Sequence, residues 1–278
     1  GLSDNGYLYN VSVRDKASNV NKTELRNITI ETLVPSIDYS AGTEINASSF
    51  NRNWIFVNTS ITETNFNNVT FALYNGSGGV VNETNFTTLT TNINFTALSD
   101  NNYLYNVTVR DKAGNVNYTA TRNITLDTRT PSIVYEAATT DNVSFVNRNW
   151  VFVNVTITET NFNNITFALY YGNLTLVNET NFTTLTTSIN FTGLSDNGYL
   201  YNVTMRDKTG SVNYTGTRNI TLDTLVPSIN YSDGTSANAS TVDRSWIFVN
   251  VSVTENNLDN ISFALYFNNG TTANETNY

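Results

Sequence analysis

The chain repeats itself every 96 residues, and that period governs everything else it can do. Pro35, Pro131 and Pro227 follow one another at 96-residue intervals, and so do Trp54, Trp150 and Trp246. Leu2, Leu98 and Leu194 keep the same spacing, and no insertion interrupts it. The period matches the roughly 100 residues of a small β-sandwich, so each unit is long enough to own a core.

The natural break is the Asp-Thr-x-x-Pro junction, where Asp127-Thr128 closes one unit and Pro131 opens the next. Residues 35–130 and 131–226 are then complete repeats. Residues 1–34 are the C-terminal part of a preceding repeat, and 227–278 the N-terminal part of a following one. Two readings follow: the stretch is a window onto a longer array, or its incomplete ends complete each other between neighbouring subunits. In the second case strands of one chain fill the sandwich of the next.

Hydrophobic alternation inside one unit predicts about seven strands, near 35–39, 53–63, 67–74, 79–84, 91–97, 103–111 and 120–127, with no window of helical period. In Trp150 to Ile157 the odd positions are aliphatic and the later even positions polar, which places Val151, Val153 and Val155 inward. The same logic turns inward Tyr103, Tyr105, Val107 and Val109, then Val69, Phe71 and Leu73, then Ile93 with Phe95, and Ile124 with Leu126. The Ser-Asp-Asn-x-Tyr approach to the sixth strand suits a tight turn whose tyrosine bonds back to the backbone upstream. The expected fold is all-β: tandem immunoglobulin-like β-sandwiches of about seven strands, joined by short proline-bearing links into a rod-like array.

Residues 107–133, V-T-V-R-D-K-A-G-N-V-N-Y-T-A-T-R-N-I-T-L-D-T-R-T-P-S-I, resemble the Ig-like repeats of prokaryotic surface proteins, with V-x-V-x-D-x-A-G-N, a last strand and D-T-x-x-P. Their Asn-x-Thr richness is more like archaeal cell-surface proteins. The resemblance implies surface layers, sheaths, filaments or adhesin stalks, at an extracellular, cell-surface location. One copy departs from it: Thr209-Gly210-Ser211 stands where Ala113-Gly114-Asn115 is expected.

Residue types missing from the chain exclude most chemistry. It has no cysteine and no histidine, which removes disulfides, thiolate metal sites, thiol nucleophiles and imidazole bases. A net charge of −9 argues against nucleic acid, which needs clustered Lys and Arg. No apolar run approaches the roughly 18 residues of a membrane span. Glu63, Glu159 and Glu255 recur without a partner carboxylate nearby in sequence. Lys16, Lys112 and Lys208, conceivable donors of a cross-link to Asn, read as surface charge. No catalytic residue is assigned, and the chain is read as a non-enzyme.

The densest motif is Asn-x-Ser/Thr, with 29 matches. Strand-borne copies fall on the outward phase: Asn106 between Tyr105 and Val107, Asn154 between Val153 and Val155. Asn disfavours strands, so its repeated placement there points to N-linked glycans. The candidate acceptors are Asn10, Asn21, Asn27, Asn58, Asn68, Asn82, Asn94, Asn106, Asn117, Asn123, Asn154, Asn164, Asn178, Asn190, Asn202, Asn213, Asn219, Asn250, Asn260 and Asn274. Trp54 with Phe56, Trp150 with Phe152, and Trp246 with Phe248 share the outer phase of the second strand. They are candidates for an inter-subunit or inter-repeat contact, the alternative being cover by a local loop.

Asp4-Asn5-Gly6 and its copies, with Asp15 or Asp111, raise the possibility of Ca²⁺ near the junction. No dense acidic cluster is visible in the sequence, so no cofactor is expected. The functional expectation is a structural component of a glycosylated extracellular fibre, sheath or surface layer that self-associates. The alternative is the stalk of a cell-surface adhesin whose tip lies elsewhere.

Overall fold

The computed structural model spans Gly1–Tyr278 and is built from strands alone. Within 35–130, one sheet has three antiparallel strands, with Ile55–Thr62 central between Ser36–Tyr39 and Asn92–Phe95. The second sheet runs in the order Ser48–Phe50, Arg122–Leu126, Asn101–Asp111, Phe66–Asn75, Val80–Phe86. Val116–Tyr118 folds back on Asn101–Asp111 as a short extra strand. Residues 131–226 reproduce this arrangement strand for strand, from Ser132–Tyr135 to Arg218–Leu222. The chain is thus all-β, with immunoglobulin-like sandwiches in tandem.

The alternation drives this packing. Ile55 and Val57 of the small sheet meet Val69, Phe71, Leu73, Tyr105, Val107, Ile124 and Leu126 of the large one in a single buried cluster. The equivalent cluster of 131–226 contains Val151, Val153, Val155, Ile165, Phe167, Leu169, Tyr201 and Val203. Each fully buried large apolar side chain contributes roughly 1.5–3 kcal/mol. Neighbouring even positions stay half-buried or exposed, the period-2 signature of a strand with one wet face.

Two strands per unit depart from the sequence expectation of seven. Ser48–Phe50 and its copy Ser144–Val146 pair in parallel with the last strand. Their three residues are too few to show alternation. Val116–Tyr118 is likewise short and outward-facing. The other expected strands form within a few residues of the expected bounds.

The tyrosine corner forms in three copies: Tyr7, Tyr103 and Tyr199 each donate their hydroxyl to the carbonyl four residues upstream, at 2.8, 2.9 and 2.9 Å. That bond anchors the entry to the longest strand.

The flanking segments carry the same strand pairings as incomplete sandwiches: 1–34 holds strands of the larger sheet alone, and 227–278 holds one strand pair from each sheet. Asn5–Tyr9 pairs with Arg26–Ile30 in the register of 101–105 with 122–126. Ser228–Tyr231 pairs with Val251–Thr254, and Ser262–Tyr266 with Thr272–Asn277. Their inner faces lie open: Tyr9 is 49% exposed where Tyr105 is 0%, and Leu265 is 43% exposed where Leu169 is 0%. Ile229, Tyr231, Ile247, Val249, Phe263 and Leu265 line a cavity of about 680 Å³ on the 227–278 half-sandwich.

Candidate functional site

Two regions of the molecule carry residues with chemistry beyond packing: the repeat junction and the outward sequon faces. The junction begins at the loop that follows the long strand. In Asp111-Lys-Ala-Gly-Asn115 the Asp111 Oδ1 accepts the Asn115 backbone N–H at 2.8 Å, and Oδ2 accepts Asn115 Nδ2 at 2.7 Å. Gly114 sits at φ 97°, a left-handed conformation that costs glycine nothing. Desolvation pushes the Asp111 carboxyl up. The side chain and backbone of Asn115, with the backbone N–H groups of Gly114 and Ala113, outweigh it and hold the group below the usual carboxylate range. Asp15 is also held low, by the side chain and then the backbone of Asn19.

The same loop in 131–226 is wired differently, because Ser211 replaces the asparagine. Asp207 Oδ1 accepts three hydrogen bonds, from Thr209 N, Thr209 Oγ1 and Ser211 N, all at 2.8 Å. Asp207 is fully buried, and its Oδ2 has no hydrogen-bond partner. A register shift opposite Arg206 and Asp207, where Phe162 and Asn164 face them, marks a bulge at this end of the sheet of the kind that re-aims a side chain.

The fold brings together carboxylates that the sequence keeps apart. Asp127, Glu159 and Asp207 place carboxylate oxygens within 4.8 Å of one another, and Glu31, Glu63 and Asp111 do the same one period earlier. This corrects the expectation that the Glu63 and Glu159 series lacks partner carboxylates and that no dense acidic cluster exists. The Asp-Asn-Gly aspartates are not members. Asp4 Oδ1 and Asp100 Oδ1 instead accept the hydroxyls of Thr32 and Thr128 at 2.9 Å, and Asp196 does so from Thr224.

Side chains tie successive units across this junction. Asn161 donates Nδ2 to Asp127 Oδ2, and Asn51 donates Nδ2 to Ser211 Oγ at 3.1 Å. One period earlier, Asn115 Nδ2 reaches the Leu33 carbonyl at 3.1 Å. Asn117 and Asn213 donate Nδ2 to the carbonyls of Pro35 and Pro131, at 2.9 and 2.8 Å. These two sequon asparagines therefore fasten the linking proline to its own sandwich. That role was not read from the sequence, where a sequon at this position looks like any other.

None of the twenty candidate acceptor asparagines is buried. Asn10, Asn21, Asn27, Asn82, Asn94, Asn178, Asn190, Asn219, Asn260 and Asn274 are exposed; the rest are half-buried. Among the latter, Asn58 and Asn250 donate Nδ2 to the carbonyls of Ala41 and Asp233.

The outer aromatics are partly covered by their own strands and loops. Arg52, Arg148 and Arg244 stack over Trp54, Trp150 and Trp246 at 3.7, 3.9 and 4.0 Å from the ring centroids. Arg52 also pairs with Glu44, and Phe56 lies against Gly42. Trp54, Phe56, Trp150 and Phe152 are half-buried, while Trp246 and Phe248 are exposed. Lys16, Lys112 and Lys208 are exposed. No helix is long and apolar enough to cross a membrane.

No family model matches the chain and no curated protein matches its sequence. Among solved structures, it is similar to fibronectin(III)-like modules of Clostridium thermocellum CbhA, at 11% identity and a TM-score of 0.35, covering 67% of this chain and 94% of that one. It is similar to chicken CNTN1 FN1–FN3 domains at 12% identity and TM-score 0.34, covering 78% and 76%. A two-domain fibronectin type-III segment of chicken tenascin matches at 11% identity and TM-score 0.31, covering 66% and 95%.

Proposed function

We propose that this chain is part of a structural, extracellular protein, a glycosylated rod of Ig-like repeats that assembles into a fibre, sheath or surface layer. The observation that carries this reading is the junction. Hydrogen bonds from Asn51, Asn115 and Asn161 reach across successive units, and Asn117 and Asn213 hold the linking prolines. Side-chain ties across a short proline-bearing link restrict the angle between neighbours, which a load-bearing rod requires and a flexible tether does not.

Sugars belong on the exposed strand asparagines, such as Asn27, Asn94, Asn190 and Asn219. There a bulky group meets only water, and it would keep a weakly charged surface in solution. The open faces of 1–34 and 227–278 are covered by repeat sequence of the same kind, either continuing this chain or contributed by a neighbouring copy through strand complementation.

The test is the denatured mass of the native subunit before and after chemical deglycosylation. A large drop is expected, and no drop would overturn the glycosylated rod. A stripped mass near 30.9 kDa assigns the cover of the open faces to a neighbouring copy. A much larger mass assigns it to the same polypeptide.

A further inference from the structure

We infer that Asp127, Glu159 and Asp207 form a binding site for a hard divalent cation, Ca²⁺, at the junction between 35–130 and 131–226. The three carboxylates come from three separated parts of the chain and place oxygens within 4.8 Å of one another. None of them is in an ion pair: the three salt bridges in the molecule join Arg26 to Glu24, Arg52 to Glu44 and Arg129 to Asp100. Three carboxylates so close repel one another, and a cation among them relieves that repulsion.

The second observation is the oxygen left over. Asp207 is fully buried with all three of its hydrogen bonds on Oδ1, and Oδ2 receives none. A buried carboxylate oxygen without a donor is costly unless something outside the protein satisfies it. The sister repeat shows the alternative: there Asn115 Nδ2 caps the equivalent oxygen of Asp111 at 2.7 Å. Ser211 is too short to do so. The departure of Thr209-Gly210-Ser211 from the repeat pattern thus frees a ligand atom at the cluster.

The donor set selects the ion. Every side-chain ligand is an oxygen, in a chain without histidine or cysteine, which excludes a zinc-type site. Ca²⁺ accepts 6–8 oxygens in adaptable geometry, a set that three carboxylates, each mono- or bidentate, can fill with water. Mg²⁺ demands a tighter octahedron. Held between Asp127 of one unit and Glu159 and Asp207 of the next, the ion would lock the angle of the junction.

The experiment is calorimetric titration of CaCl₂ into the chelator-stripped chain, with thermal melting in CaCl₂ and in EDTA. The unsubstituted chain is expected to bind Ca²⁺ and to melt at a higher temperature with it, as a ligand of the folded state must. Glu159→Gln is expected to weaken binding by roughly ten- to a hundredfold. Ser211→Asn imports the asparagine that stands at this position in the sister repeat, where the same loop holds it, and it should weaken binding by capping Asp207 Oδ2. The inference is overturned if the unsubstituted chain gives no binding heat and melts identically in both conditions. It is also overturned if both variants bind Ca²⁺ with unchanged affinity and stoichiometry.

Discussion

At the scale of single residues, two kinds of side chain carry testable cost. Val143 adopts φ 58°, a left-handed conformation unfavourable for a β-branched residue. The conformation persists because it lets the Val143 N–H reach the Asn219 carbonyl at 2.7 Å, at the start of the parallel strand. Its side chain is 69% exposed, so little packing is lost on removal. Val143→Gly should stabilise the chain by about 1 kcal/mol, the relieved strain outweighing the greater chain entropy of glycine, read as a higher urea midpoint. A lower midpoint would show that the chain entropy of glycine, together with any packing lost, outweighs the strain. Two half-buried tyrosines set an alkaline limit. Burial pushes the hydroxyls of Tyr39 and Tyr135 up to about 12, while an unfolded tyrosine ionises near 10. Between those values the unfolded chain holds fewer protons, so stability falls as pH rises. The contribution is intact below about pH 10 and lost as pH climbs through about 12. Melting temperature should be flat from pH 8 and fall steeply above 10, with tyrosinate absorbance at 295 nm rising late.

At the scale of elements, the short hairpin after the long strand holds by one buried hydroxyl. Thr215 Oγ1 accepts the Val203 N–H at 3.0 Å, as Thr119 does for Val107. Thr215→Val keeps the shape but leaves that N–H without an acceptor, and should cost about 1–3 kcal/mol in chemical denaturation. Thr215→Ser should cost much less. How far such elements could be read in the sequence depends on what fixes them. The long strands could be read because Tyr103, Tyr105, Val107 and Val109 alternate with polar residues, and alternation is local. Ser48–Phe50 could not, because a parallel pairing with Arg122–Leu126 depends on a partner more than seventy residues away. The acidic cluster was hidden for the same reason. Asp127, Glu159 and Asp207 lie tens of residues apart; the sandwich fold of 131–226 brings Glu159 to Asp207, and the junction with the preceding unit adds Asp127. The one local clue was Ser211 in place of asparagine, which reads as a lost pattern until the orphaned Asp207 oxygen gives it a meaning.

At the scale of the whole molecule, the stiffness proposed for the array rests on bonds that lie outside the cores. The link between units runs only from Leu126 to Ser132, and Pro131 within it is buried with its carbonyl held by Asn213. Asn51 closes the other side of the junction on Ser211. Neither bond belongs to the buried clusters, one in each sandwich, so stiffness and stability should be separable. Replacing Asn51, Asn161 and Asn213 together by alanine removes these ties along with the Asn161–Asp127 bond across the same junction and leaves every core residue in place. Each lost bond should cost roughly 0.5–1.5 kcal/mol, a small shift in melting temperature. Small-angle scattering should change far more, the distance distribution broadening and its maximum shortening as the units bend about the link. If scattering stays that of a straight rod while melting falls sharply, those asparagines support the sandwiches, and the angle is set by the proline and the contact surfaces alone.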